Sequence, residues 1–297
     1  MILGAIDIGS NAARLLICDV INNGSTKPEF SKLNLLRVPL RLGFDVFENG
    51  RISPFKEEMI IKTMLAYKNL MDVYNVNSYK AIATSAMRDA ENAGSIIQKV
   101  FSETGIRIEV ISGDQEAAVI YQTDIIENLD RDLFYLYIDV GGGSTELTFF
   151  TESQIEFKKS FNIGTIRLLK NQVSSSQWDE MKDFIKEKTR SQKKIMAIGS
   201  GGNINKVFSM SKRKDGKPLP ILLLKDYYSE LNSVSLHDRM ILYKLKEDRA
   251  DVILPALHIY INVMRWANAD EIYVPKIGLV DGIIHQLYNE SRSGVKI

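Results

Sequence analysis

Tyr137-Ile138-Asp139-Val140-Gly141-Gly142-Gly143-Ser144, running into Glu146-Leu147-Thr148-Phe149, is the stretch on which the reading of the fold turns. An apolar strand ends beside an aspartate, a polar glycine-rich turn follows, and a second apolar strand leaves it, which spells a β-hairpin. The same pattern opens the chain, where Ala5-Ile6-Asp7-Ile8-Gly9-Ser10 runs into Arg14-Leu15-Leu16-Ile17. A repeat of this kind predicts two related halves, each starting with the same hairpin, with the two turns brought face to face across a cleft.

Working outward, strands and helices alternate. A strand is expected around Leu33 to Val38, then a helix from Pro54 to Tyr74, where Met59, Ile60, Thr63, Met64, Tyr67 and Leu70 recur at helical spacing behind a first-turn proline. A strand at Tyr79 to Ala83, a helix through Ile96 to Phe101, a strand at Ile106 to Ile111 and a helix from Asp114 to Ile126 follow. Polar Asn128 to Asp132 marks the boundary, giving an N-terminal domain over 1–127 and a C-terminal domain over 128–297, with the last helix free to pack back on the first. The second half continues with a strand at Ile155 to Phe161, a helix from Ser174 to Lys188, and a strand at Lys194 to Ile198. That strand enters a third glycine turn, Gly199-Ser200-Gly201-Gly202, and a helix then runs to Met210. Ser211 to Pro220, polar and basic, reads as an exposed loop. Helices fill most of Lys225 to Ala267, a strand follows at Glu271 to Val274, and a last helix begins near Leu279.

Composition narrows the function classes. At 297 residues, 45% hydrophobic and 25% charged, the chain folds around real cores, and its length suits roughly two domains. Lys and Arg number 38 against 37 Asp and Glu, a net charge of +1, so no global field draws it onto nucleic acid or a membrane surface. Any anionic ligand must be met locally. Cys18 is the single cysteine, which excludes an intrachain disulfide framework and any multi-cysteine metal site. Asp7 and Arg14 interrupt the apolar start, no basic leader precedes it, and a cytoplasmic location is expected.

Three glycine turns behind apolar strands are the main chemical signal. Without side chains, successive backbone N–H groups can converge on an anion such as phosphate. No Gly-x-x-x-x-Gly-Lys-Ser/Thr occurs, and neither Gly141-x-Gly143 nor Gly199 to Gly202 completes a dinucleotide fingerprint, since Glu146 and Ile204 stand where the third glycine belongs. Asp7 and Asp139 end strands beside these turns, where a bare carboxylate would repel phosphate unless Mg²⁺ or its water lay between them. Glu146 either joins that shell or faces solvent on its strand. The three histidines have no ligand spacing, and Cys18 reads as core rather than nucleophile. Lys212, Arg213, Lys214 and Lys217, with Lys158-Lys159 and Lys193-Lys194, either guide a polyanion or are merely solvated.

Four runs, Ala5 to Asn11, Ala83-Thr84-Ser85-Ala86-Met87-Arg88-Asp89-Ala90, Ile111-Ser112-Gly113-Asp114-Gln115-Glu116-Ala117 and Ile138 to Leu147, resemble in that order the exopolyphosphatase and guanosine pentaphosphate phosphatase family. The resemblance implies an α/β, actin-like ATPase (ribonuclease H-like) fold of two related domains with a cleft between them, in the short form that lacks an additional C-terminal helical domain. It implies that Glu116 is the catalytic glutamate acting on water, and that Arg88 faces the phosphates. Gly9, Ser10, Asn11, Gly141, Gly142, Gly143, Ser144 and Gly201 then bind phosphate, while Asp139, Glu146 and Asp7 hold Mg²⁺ or another divalent cation. The implied activity is hydrolysis of the terminal phosphate of inorganic polyphosphate by a cytoplasmic homodimer. Guanosine pentaphosphate 5′-phosphatase, a non-catalytic alarmone-binding regulator and a kinase of the same superfold are the alternatives. Ala12, Phe44-Asp45, Asn203 and the run Lys276 to Gly282 depart from the family's usual pattern, which bears on substrate choice more than on hydrolysis.

Overall fold

A computed structural model describes residues 1–22, 28–121, 133–151, 154–190 and 194–292. It divides into two compact units, one of Met1–Thr123 with Gly278–Ile297, the other of Asp124–Ile277. The expected boundary between 127 and 128, and the expected helical stretch from 122 to 126, lie outside the described residues.

The first unit opens with a meander of β1 (Ile2–Ile8), β2 (Ala13–Ile21) and β3 (Glu29–Val38). Then come α1 (Leu42–Asn49), α2 (Pro54–Val73), β4 (Ser78–Ala83), α3 (Ser85–Asp89), α4 (Ala93–Thr104), β5 (Ile108–Val110) and α5 (Gly113–Tyr121). The sheet order is β3-β2-β1-β4-β5. β2 runs antiparallel to both neighbours, and β1, β4 and β5 are parallel. β1 is central and buried along nearly its whole length, which is why it reads as a continuous apolar run, whereas edge strand β3 is mostly half-exposed. α2 starts where Ser53 accepts from the Lys56 N–H and Pro54 fills the first turn.

The second unit has β6 (Phe134–Val140), β7 (Thr145–Phe150), β8 (Ile155–Phe161), α6 (Thr165–Leu169), α7 (Ser175–Thr189), β9 (Ile195–Ser200) and α8 (Gly202–Ser211). It continues with β10 (Leu219–Pro220), α9 (Ile221–Asn232), α10 (Leu236–Leu242), α11 (Glu247–Ala250), α12 (Ile253–Trp266) and β11 (Glu271–Tyr273). The sheet order is β10-β11-β9-β6-β7-β8. Taken as β8-β7-β6-β9-β11, it repeats the order and strand directions of the first sheet. Both units thus have the actin-like ATPase (ribonuclease H-like) arrangement. The last helix, α13 (Leu279–Arg292), belongs to the first unit and packs on β1, β2, β4 and α5.

Three features differ from the sequence expectation. The third glycine turn is shorter: Gly199 and Ser200 continue β9 and α8 opens at Gly202, leaving Gly201 alone at the bend with φ 112°. The expected exposed loop from Ser211 ends in β10, where Leu219 is fully buried opposite Ile272. α1, α3 and α6 were not foreseen; two of them are five-residue helices, too short to show a periodicity. Among the described residues no helix is long and apolar enough to cross a membrane.

Candidate active site

The second-unit hairpin places its two acids by register. Asp139, next to last in β6, stands directly opposite Glu146 on β7, and carboxylate oxygens of the two lie within 4.8 Å of each other. Both are buried; Glu146 is 1% exposed, so it does not face solvent. Glu146 Oε1 accepts from Ser144 Oγ at 2.7 Å and from Ser160 Oγ at 2.9 Å, the latter from the neighbouring strand β8. Two ionised carboxylates this close repel each other in a low dielectric, and a cation with a preference for oxygen ligands relieves that repulsion.

The glycine turn between them is oriented from outside. Its carbonyls accept from the start of α6: Gly141 from the Thr165 N–H, Gly142 from that of Ile166, and Gly143 from Arg167 Nε. A trans peptide points its N–H opposite to the preceding carbonyl. The N–H groups of Gly142, Gly143 and Ser144 are therefore turned away from α6, while that of Gly141 closes the turn on Ser144 at 2.9 Å. Gly164 makes this possible, because a Cβ there would overlap the Gly142 carbonyl and the Gly143 backbone. On the other side, β9 pairs Ser200 with Asp139, and Gly201 sits so close that a Cβ would stand 3.3 Å from Asp139 Oδ1. The Tyr260 hydroxyl donates to the Ser200 carbonyl and pins that bend. Burial pushes this phenol well above its ordinary pKa, and the Asp139 charge adds to the effect.

The first-unit turn is built to the same plan with a different charge. Gly9 N–H closes on the Ala12 carbonyl at 3.1 Å, and the carbonyls of Ser10 and Asn11 accept from Gly43 and Arg41, which turns the N–H groups of Asn11 and Ala12 the other way. Ser10 Oγ meets Ser85 Oγ at 2.7 Å. Asp7 pairs across the strands with Arg14, whose guanidinium donates to Asp7 Oδ2 at 2.6 Å. Burial pushes the Asp7 carboxyl above the usual carboxylate range, and Arg14 pulls it partly back.

Glu116 lies in the first turns of α5, which begins with a reciprocal cap: Ser112 Oγ accepts from the Gln115 N–H at 3.2 Å and Gln115 Oε1 from the Ser112 N–H at 2.8 Å. Arg88, on α3, donates to the Ile111 carbonyl at 3.0 Å, just before that cap. Arg88 and the segment leading to Glu116 are thus tied together. α5 rests on α13 at Gly282, where a Cβ would overlap the Val119 carbonyl. The unusual residues of this region have structural work: Asp281 accepts from the Gly278 N–H at 2.8 Å and pairs with Lys32 at 2.6 Å, and Asp45 accepts from the Ser53 N–H at 3.0 Å.

Sequence reasoning missed Gly164, Ser160 and Tyr260. Cys18 is buried, as expected for core, and burial pushes its thiol up to about 11. Of the basic loops, Lys159 pairs with Glu180 at 2.8 Å and Lys276 with Asp215 at 2.5 Å beside the Lys212 to Lys217 run; Lys193 lies outside the described residues.

Comparison with known proteins gives a coherent picture. The model of the Ppx/GppA phosphatase family matches residues 20–290. The chain is 31% identical over 301 residues to the bifunctional 3-dehydroquinate synthase/phosphatase of Fusobacterium nucleatum, a match covering 91% of this chain and 44% of that protein. It is 28% identical over 175 residues to exopolyphosphatase 1 of Mycobacterium tuberculosis, covering 57% of this chain and 48% of the relative. The crystal structure of the Aquifex aeolicus Ppx/GppA family member superposes with a TM-score of 0.75 at 25% identity, covering 98% of both chains. The chain spans about half the length of these two curated relatives.

Proposed function

The chain belongs to the Ppx/GppA phosphatase family, and from that premise we propose that it hydrolyses the terminal phosphate of inorganic polyphosphate with the help of a divalent cation. The observation that carries the proposal is the Asp139 and Glu146 pair, two buried carboxylates held opposite each other at a glycine turn whose amides point away from α6.

Hard oxygen donors at this spacing fit Mg²⁺, which would be held by Asp139 and Glu146; Asp7 is assigned a lesser part, because Arg14 already holds one of its oxygens. When bound, such an ion neutralises phosphate charge and favours departure of the leaving oxygen. Ser144 and Ser160 hold Glu146 by its Oε1, which fixes the direction of the second oxygen. The amides of Gly142, Gly143 and Ser144, with those of Asn11 and Ala12, donate to phosphate oxygens, and Gly201 leaves room beside Asp139 for them. Arg88 uses one nitrogen on Ile111 and keeps other donors of its planar fork for the reacting phosphoryl group. Glu116 orients the attacking water and takes its proton. The protein acts as a cytoplasmic homodimer in this reading.

The test is phosphate release over time from purified polyphosphate, with Mg²⁺ and with chelator, for the natural protein and Glu116→Gln. The expected result is metal-dependent release that falls by roughly 10²- to 10⁴-fold in the variant with its melting temperature unchanged. Near-normal release by Glu116→Gln would remove the glutamate from its role. Release from guanosine pentaphosphate but not from polyphosphate would make the protein the alarmone 5′-phosphatase instead, and binding without release from either would make it a regulator.

A further inference from the structure

Lys182, Lys186 and Arg190 stand four residues apart along α7 and its C-terminal cap, so they form a row on one helix face with about 6 Å of rise between successive charges. Arg265 and Trp266 end α12, and Asn268 follows in a left-handed conformation with φ 54°. These residues line one hollow of about 620 Å³, and among the described residues no carboxylate lines it. The cations are poorly neutralised. Lys182 reaches Asp179 only at 3.7 Å, Arg265 donates to the neutral Asn262 Oδ1 at 2.8 Å, and the side chains of Lys186 and Arg190 have no hydrogen-bond or ion-pair partner among the described residues. Attraction to the orphan carbonyls of a helix C-terminus accounts for Lys186 and Arg265, but not for Lys182, which sits two turns earlier. Behind the hollow, Trp266 packs edge-on against Trp178 with centroids 5.8 Å apart, and Trp178 packs on His258, whose pKa is lowered by burial and by the Arg265 charge.

The hollow lies at the far end of the second-unit sheet from the acids. α7 and α12 finish where β9 and β11 are about to begin, and β9 starts at Ile195, directly opposite Phe134, the first residue of β6. Asp139, five residues along β6 from Phe134, is therefore about 17 Å further up the sheet.

We propose that this hollow is a second binding site for oligophosphate, remote from the hydrolytic turn, which anchors the distal part of a phosphate chain. A row of cations at regular rise suits a linear polyanion better than a single phosphate, which would leave part of the row unused. The volume suits a few phosphates rather than a duplex, and the net charge of +1 supplies no broad field for nucleic acid. The binding statement stands independently of turnover; the anchoring of a polymer rests on the proposed hydrolysis.

The chain has two tryptophans, Trp178 and Trp266, and both belong to this cluster, so its intrinsic indole emission reports from beside the hollow. Natural protein and the Lys186→Glu, Arg190→Glu double variant are titrated with inorganic tripolyphosphate, and separately with GTP, in chelator at about 150 mM salt. The expected result is a saturable emission change whose dissociation constant rises at least about tenfold in the variant. In turnover with metal, the variant should show an unchanged rate on tripolyphosphate and a KM for long polyphosphate raised at least about fivefold with kcat preserved. The absence of a saturable change in the natural protein, or identical titrations for both proteins, would overturn the site. Equal affinity for GTP and tripolyphosphate supports recognition of the phosphates alone; GTP binding at least tenfold tighter assigns the site to a nucleotide and overturns the anchoring role. Loss of all turnover would sink the hydrolase proposal while leaving the emission titration to decide the site.

Discussion

The two glycine turns share a backbone plan and differ in one charge. In each, an aspartate near the end of the first strand faces a residue seven positions on, Arg14 for Asp7 and Glu146 for Asp139. In each, the first glycine N–H closes on the carbonyl three residues later. The first turn thereby carries a neutralised pair and the second two like charges. Opposite charges attract across the strands and partly offset the burial of Asp7, whereas two facing carboxylates repel each other and a cation between them relieves that repulsion. In the proposed reading both turns offer amides to phosphate, and the second is the one whose facing acids would hold the cation.

The sharpest way to break that contrast is at the two equivalent partners. Glu146→Gln keeps an acceptor for Ser144 and Ser160 but removes one of the facing charges. Metal-dependent phosphate release should fall on the order of 10³-fold. In chelator, the same variant should melt higher than the natural protein, by about 2–4 °C for each kcal/mol of relieved repulsion. Calorimetry with and without Mg²⁺ reads both; a variant destabilised in chelator would show that the acids do not oppose each other.

Arg14→Gln should act in the opposite direction. It leaves Asp7 buried without its cation, at a cost of about 3 kcal/mol, the low end for breaking a buried pair because the Arg14 side chain is 31% exposed. The pH dependence has a definite sign. Asp7 already has a raised folded-state pKa, and losing Arg14 raises it further. Ionised Asp7 therefore lowers stability as pH rises through that pKa, and the deficit of the variant should shrink as pH falls through it. Denaturant titrations at several pH values check this, and a deficit that grew on acidification would contradict the pairing.

How much of this was legible follows from distance along the chain. The hairpins, their acids and the helix carrying Glu116 are local patterns, written within a dozen residues, and all appear in the sequence. The cross-strand facing of Asp139 and Glu146 was half legible, since a hairpin with that turn brings the two together but leaves their burial open. What was hidden depends on partners far away. Gly164 has an ordinary extended φ of −138°, so no dihedral preference marks it; its need is for space beside Gly142, twenty-two residues earlier. Tyr260 sits in an apolar helix like any core residue, and its role comes from Ser200, sixty residues away. The basic row on α7 escaped because its members are four apart, where a search for consecutive charges finds loops instead.

Gly164 provides a middle-sized test of the same contrast. Gly164→Ala must push the second turn away from α6 or move α6 itself, and either shift misaims the amides of Gly142 to Ser144. An activity loss of about tenfold or more is expected, expressed in kcat/KM, with the unit still folded by circular dichroism. The first turn has Arg41 and Gly43 as its supports. A turnover rate unaffected by Gly164→Ala would mean that the second turn's orientation is not what the chemistry uses.

The smallest effect concerns Cys18, which stands on β2 where the second hairpin has Phe150, counting both from their aspartates. Each is 2% exposed. Burial, with the Asp281 charge next, raises the thiol to about 11, well above the ordinary cysteine range, and Lys32 only partly offsets this. At pH 8 the thiolate fraction is then about 10²-fold below that of the unfolded chain, and alkylation by iodoacetamide should be slower by at least that factor while phosphate release is untouched. If the first hairpin is the rigid one, protection should persist in chelator, where no added cation stands between the facing acids of the second hairpin. Rapid labelling of the native protein would show that the first hairpin opens as well, and the distinction between the two turns would then rest on charge alone.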